Sequence, residues 1–126
     1  FKGKIKNKKI CFLGVTFKAN TDDMRDSSSL TMIPALIKKG AKINYYDPTG
    51  KKKEFNKVKN VNFSENIKTA IRDSDLIIVH TEWNDFKSIN FNKDVLNKKF
   101  ILFDMRNIYS PTKMKDLKIN YYGVGR

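Results

Sequence analysis

Apolar positions along this chain follow two rhythms. Ile10-Cys11-Phe12-Leu13, Leu76-Ile77-Ile78-Val79 and Phe100-Ile101-Leu102-Phe103 are short unbroken runs, the pattern of strands covered on both faces. Between them the spacing opens to three and four. Leu30, Ile33, Leu36 and Ile37 fall on one side of a helix, with Ser27 to Ser29 as N-cap candidates, Gly40 as its stop, and Pro34 predicting a late start or a small kink. Ile67, Ala70 and Ile71 mark a second helix, capped by Ser64 and ended by Asp73-Ser74-Asp75. Ala41 to Tyr46 reads as a strand closed by Asp47-Pro48, with a turn at Thr49-Gly50-Lys51. Lys52 to Lys59 is a candidate short helix, Val61 to Phe63 a short strand and Phe91 to Asn97 a further helix. A turn at Ser110-Pro111 precedes a short helix and a last strand near Ile119 to Tyr122.

Strands alternating with helical patterns predict the α/β class, as a Rossmann-like doubly wound parallel sheet with right-handed crossovers. At 126 residues the chain is a single domain, residues 1-126. Such a sheet gathers its ligand-facing loops at the carboxyl ends of the strands. Lys18 and Arg25 after the first strand, Asp47 after the second, His80 and Glu82 after Val79, and Arg106 after Phe103 should meet there. The central stretch is Gly14 to Leu30, rich in polar groups. It lacks the Gly-x-Gly-x-x-Gly form, because the next glycine after Gly14 is Gly40. A backbone so built cannot approach a pyrophosphate closely, so side chains must do the holding. Lys18 offers a mobile point charge and Arg25 a planar fork. The chain has four arginines, and two of them lie at these strand ends, which singles out that edge more sharply than any lysine does.

Composition narrows the classes. The longest apolar runs are four or five residues, too short to cross a membrane, and the N-terminal stretch lacks the apolar core of a signal peptide, so no membrane partner and a cytoplasmic location are expected. One cysteine, Cys11, and one histidine, His80, allow no internal disulfide and no metal cluster. Cys11, inside a strand run, reads as an inert core thiol. The net charge of +13 would draw polyanions. Yet the lysines are scattered along the chain, their densest patches (Lys8-Lys9, Lys38-Lys39, Lys51 to Lys53, Lys98-Lys99) fall at element ends and turns, and no aromatics interleave with them; no nucleic-acid partner is expected.

Each candidate has a plainer use. Lys18 could be a solvated loop residue, Arg25 could brace the loop through Asp22, Asp23 or Asp26, and Arg106 could pair with Asp104. His80 could be a general base or a hydrogen-bonded structural residue, and Trp83 a packing anchor with a satisfied ring nitrogen. Asp47 stands where a dinucleotide fold places its ribose-binding acid, without the glycine fingerprint that would support that use. No nucleophile stands with a base, so no catalytic residue is assigned. From the residues alone, the domain is a nucleotide or phosphate binder.

The segment Phe17-Lys18-x-x-Thr21-Asp22-Asp23-x-Arg25-x-Ser27, then Ser29-Leu30 and Tyr46-Asp47-Pro48, resembles the C-terminal domain of UDP-glucose 6-dehydrogenase and related nucleotide-sugar dehydrogenases, the UDP-glucose/GDP-mannose dehydrogenase family. Thr81-Glu82-Trp83, Asp104-Met105-Arg106-Asn107 and the ending Tyr121 to Arg126 follow in the same order. The resemblance implies an enzyme that oxidises UDP-glucose to UDP-glucuronate with two NAD. It makes Phe17, Lys18 and Arg106 contacts to the UDP-sugar, and Arg25 a contact to NAD phosphate from the facing domain. Ser28 stands where many bacterial members have proline, a substitution other members share. The NAD-binding domain and the central domain, which carries the catalytic cysteine and forms a homodimer or higher homo-oligomer, have no counterpart here. Cys11 lies in a different place. The chain is thus expected to be one domain of a longer enzyme and inactive alone. UDP-N-acetylmannosamine or GDP-mannose as substrate, or a stand-alone nucleotide-binding module, remain the alternatives.

Overall fold

The apolar runs become the centre of a sheet because each has two faces to bury. In β1 (Lys9–Leu13), Ile10 and Phe12 point to one side and Cys11 and Leu13 to the other, and all four are buried. The computed structural model describes residues 3–125, so Phe1, Lys2 and Arg126, the last residue of the ending motif, lie outside the described residues. Around β1 lie β2 (Lys42–Tyr46), β3 (Val61–Phe63), β4 (Leu76–Val79), β5 (Ile101–Asp104) and β6 (Asn120–Gly123). Their order is β3-β2-β1-β4-β5-β6, and every neighbouring pair is parallel. This is the doubly wound order of the expected Rossmann-like sheet, and it reverses between β1 and β4.

The two faces carry separate cores. Ile10, Phe12, Ile43, Tyr45 and Ile78 pack with Ile33 of α1 (Ser29–Lys38) and with Phe55 from a single 3-10 turn, Lys53–Phe55. Cys11, Leu13, Ile77, Val79 and Leu102 pack with residues of α2 (Ile67–Ile71), α3 (Phe91–Asp94) and α4 (Pro111–Asp116). Phe12, with no exposed surface, contributes about 2 kcal/mol by burial alone. Burial also drives the Cys11 thiol pKa far above its usual value, which leaves it unreactive.

Several element ends differ from expectation. Ser28 occupies the N-cap of α1 but makes no side-chain cap bond, its hydroxyl being bonded to His80 instead, while the serines on either side of it point back to the β1 loop. The helix begins at Ser29 and runs through Pro34. Asn66, not Ser64, caps α2, its side chain accepting from the Thr69 N–H. The third helix stops at Asp94 because Val95 turns extended to enter the core. Of Lys52 to Lys59 only one 3-10 turn forms, and a second, Asn84–Ser88, was not signalled by spacing; Phe86 anchors it with no exposed surface.

Candidate functional site at the strand carboxyl ends

The crevice begins where β1 ends. Gly14 takes φ +80°, and a Cβ there would stand 2.6 Å from Cβ of Thr81, so the first loop leaves the sheet pressed against the loop after β4. Hydrogen bonds then fix it from three directions. The Gly14 N–H donates to the Tyr46 carbonyl (2.8 Å) and the Val15 N–H to Oδ2 of buried Asp47 (2.9 Å), tying the loop to the end of β2. The Ser27 and Ser29 hydroxyls both donate to the Val15 carbonyl, at 2.5 and 2.6 Å, tying it to the start of α1. The Thr81 hydroxyl donates to the Thr16 carbonyl at 3.0 Å, tying it to β4.

Asp47 is a brace here. Its Oδ1 takes the Thr49 N–H and hydroxyl, at 2.9 and 2.6 Å, so both carboxylate oxygens are occupied inside the protein. A ribose-binding acid would need free oxygens facing the crevice, which this one lacks.

His80 is 2 % exposed and held at both ring nitrogens: Nε2 lies 2.8 Å from the Ser28 hydroxyl and Nδ1 lies 3.2 Å from that of Thr81. The Thr81 hydroxyl spends its one proton on the Thr16 carbonyl. It therefore accepts from Nδ1–H, and Nε2 accepts from Ser28. Burial, with the Arg106 charge nearby, pushes the His80 pKa down to about 4, so the ring is neutral and serves as a cross-tie.

Arg106 joins two of these segments. Its Nε–H donates to the His80 carbonyl (3.0 Å) and its Nη2–H to the Phe17 carbonyl (2.9 Å). Its expected pairing with Asp104 is a main-chain bond, N–H to Oδ1 at 3.1 Å. Asp104 is committed elsewhere, Oδ2 accepting the Tyr109 N–H (3.0 Å) and the Tyr121 hydroxyl (2.8 Å). Arg106 itself is exposed, and its Nη1 group takes no partner among the described residues. Phe17, 46 % exposed, whose carbonyl Arg106 holds, and exposed Lys18 follow each other on the loop after β1.

Arg25 reaches outward. It grips Asp23 by two parallel bonds, Nε to Oδ1 at 3.0 Å and Nη2 to Oδ2 at 2.9 Å, and that guanidinium lowers the Asp23 pKa to about 2. The Arg25 side chain is still 88 % exposed. Of the aspartates weighed for it, Asp23 is the partner.

Trp83 is a packing residue as expected, but its ring nitrogen is buried without a partner among the described residues, against the expectation of a satisfied one. No group of three or more histidine, cysteine, aspartate or glutamate side chains among the described residues is placed to hold a metal ion. No helix among them is long and apolar enough to cross a membrane. The roles of Asp47 as a brace and of Asn107, whose side chain closes on both the N–H and the carbonyl of Val124, were not read from the sequence. The Asp-Pro turn was the visible signal for the first, and the second had none.

The arrangement presents exposed cations and an aromatic ring on a rigid, fully bonded frame, which suits an anionic, ring-bearing ligand. Residues 11–111 match the model of the UDP-glucose/GDP-mannose dehydrogenase family, UDP binding domain. The chain is 34% identical over 125 residues to a UDP-glucose 6-dehydrogenase of Rhizobium meliloti (strain 1021), covering 98% of this chain and 29% of that protein. A UDP-glucose 6-dehydrogenase of Rickettsia conorii is 35% identical over 126 residues, again covering 98% and 29%. The chain thus spans under a third of the curated relatives it matches. In structure it is similar to an NDP-N-acetyl-D-galactosaminuronic acid dehydrogenase from Methanosarcina mazei Go1, with TM-score 0.83 and 24% identity over 98% of this chain and 26% of that one. It is also similar to a UDP-D-ManNAc dehydrogenase from Pyrococcus horikoshii, with TM-score 0.75 and 25% identity over 98% of this chain and 27% of that one.

Proposed function

The chain belongs to the UDP-glucose/GDP-mannose dehydrogenase family, and on that premise we propose that it is the UDP-sugar-binding domain of a cytoplasmic UDP-glucose 6-dehydrogenase. The observation that carries the reading is Arg106. Its two bonds to the His80 and Phe17 carbonyls orient the guanidinium at the carboxyl ends of the strands and leave Nη1 without a partner among the described residues. A diphosphate oxygen or a sugar hydroxyl would meet a donor already oriented, so little side-chain entropy is lost on binding. Lys18 adds charge without fixed geometry, and Phe17 a face against which a ring can lie.

Arg25 is the contact for NAD. Its exposed fork, steadied by Asp23, can reach a phosphate held mainly by a separate domain, so the residues present fit that cofactor as an outlying arm and not as its pocket. NAD supplies the hydride acceptor. The catalytic cysteine and the contacts of a homo-oligomer belong to the rest of the enzyme, and the domain alone is inactive. What this chain does is bind and orient the nucleotide sugar.

Calorimetry of the full-length protein with UDP-glucose tests the reading. Arg106→Ala should weaken binding by roughly ten- to a hundredfold, the range of a lost charge-assisted hydrogen bond. Lys18→Ala, which removes no bond from the frame, should weaken it less. Unchanged affinity in both would count against the site. Because solved relatives are named for other nucleotide sugars, competition by UDP-N-acetylmannosamine and GDP-mannose decides the substrate.

A further inference from the structure

The lysines that are scattered in the sequence are not scattered in space. In a parallel sheet every helix-to-strand connection returns to the amino ends of the strands, opposite the crevice. The stretches there, 5–9, 38–42, 59–61, 72–76, 95–101 and 115–120, hold twelve lysines and arginines against three aspartates. The stretches at the crevice end, 14–28, 46–52, 63–66, 80–90, 104–110 and 123–125, hold six against eight acidic residues. The charge of the chain is therefore polarised along the strands. Only the amino end carries a strong positive field.

Bonds between these stretches make that end one continuous surface. The Asn7 N–H donates to the Gly40 carbonyl and the Lys42 N–H to that of Lys8, at 2.8 and 2.9 Å. Asp75 accepts from the Lys9 N–H and the Asn97 side chain, both at 2.9 Å, so one of the three acids there is turned inward to structural use. Asn97 in turn accepts the Lys99 N–H at 3.0 Å. The Leu96 N–H donates to the Arg72 carbonyl, and the Asn92 side chain to that of Leu117.

Two exposed leucines interrupt the charge. Leu96 is 58 % exposed and stands two residues before Lys98; Leu117 is 44 % exposed and adjoins Lys118. The exposed aromatics Phe17 and Tyr122 both belong to the crevice end. Single-stranded nucleic acid would want aromatic faces to stack on, whereas an anionic bilayer wants many point charges and a few aliphatic side chains that sink below the headgroups. We propose that the amino-end face of this domain docks on an anionic lipid bilayer, with Lys42, Lys99 and their neighbours over the headgroups and Leu96 and Leu117 inserted. The crevice then faces away from the surface, free to take its ligand.

Flotation of the full-length protein with phosphatidylcholine vesicles, with and without phosphatidylglycerol, tests this. Binding should require phosphatidylglycerol and fall with added salt. Lys42→Glu/Lys99→Glu should reduce the bound fraction by at least about tenfold, since each basic side chain near the surface contributes appreciably. Lys51→Glu, at the crevice end, should reduce it by less than about twofold and by less than Lys42→Glu alone, because a site more than a Debye length from the lipid is screened. Leu96→Ser/Leu117→Ser should weaken binding with no change of charge. Equal loss in Lys42→Glu and Lys51→Glu, no effect of the leucine exchange, or retention on single-stranded oligonucleotide without vesicle binding would each overturn the proposal. Circular dichroism of every variant establishes that the fold is kept. UDP-glucose titration of the same samples reads the crevice separately, so the two ends can fail independently.

Discussion

The two ends of this sheet are built on opposite plans. At the crevice end charged and polar groups turn inward: Asp47 and Asp104 are 1 % and 0 % exposed with both carboxylate oxygens bonded, and His80 is tied at both nitrogens. At the amino end most charged groups turn outward, Asp75 excepted, and the backbone does much of the joining. The first plan produces a fixed frame from which a few exposed groups project. The second leaves a dense charged surface in which a few side chains, Asp75, Asn97 and Lys98 among them, hold bonds and others such as Lys42 and Lys99 make none of the bonds described. Substitutions should therefore be costly at one end and nearly free at the other.

The largest effect is expected at Gly14. Its φ of +80° disfavours any side chain, and a Cβ would fall 2.6 Å from Cβ of Thr81, where neither the strand nor the threonine can retreat. Gly14→Ala should cost about 3 kcal/mol or more, combining backbone strain with overpacking, and lower the melting temperature by roughly 10 °C. A variant melting within a degree or two of the parent would show that the frame is looser than its bonds imply.

Acid should loosen the same end. The His80 pKa is 6.5 in a free side chain and about 4 in the fold, so between those values the unfolded chain binds a proton that the folded protein refuses. Stability is whole above pH 6.5 and falls as pH drops toward 4, by up to about 3 kcal/mol from this group. Asp23, also lowered, titrates in a separate window from 3.8 down to about 2. Urea midpoints followed across the upper window should slope in the parent and flatten in His80→Gln. A slope retained in that variant would assign it to another group.

A smaller effect is expected at the one departure from full bonding, Trp83. Its buried Nε1–H has no acceptor among the described residues, so Trp83→Phe removes a donor whose burial costs stability and gives up some ring volume. The two changes oppose each other, and the net should stay within about 1 kcal/mol by chemical denaturation. A larger loss would reveal an acceptor for the indole.

The contrast between the ends also explains what the sequence disclosed. The sheet was legible because a parallel strand buried on both faces has to be an apolar run, and Ile10 to Leu13 or Leu76 to Val79 have no other good use. Placement of Lys18, Arg25, His80 and Arg106 at the crevice end followed from topology. Their partners did not. Ser27 and Ser29 look like helix caps, since a serine hydroxyl suits a cap as well as a carbonyl twelve or fourteen residues away, and only the fold decides. The same blindness hid the amino-end surface. Lys8, Lys42 and Lys99 are far apart in the chain, and patches such as Lys8-Lys9 and Lys98-Lys99 read as separate solvated element ends. They converge only after four crossovers are drawn.

The smallest effect sharpens the comparison from the other side. Lys42 and Lys99 are exposed at the amino end, and none of the hydrogen bonds described there is made by either side chain; their backbone N–H groups carry the contacts. Lys42→Gln/Lys99→Gln keeps those N–H groups, keeps most of the aliphatic stem, and relieves a little repulsion in a crowded positive field. Stability should change by no more than about 0.5 kcal/mol, with a slight gain at low salt that disappears as salt is raised. Denaturation at two ionic strengths reads both parts. A loss beyond that range at either salt would mean that these lysines support the fold, and the division into a structural end and a free charged end would not hold.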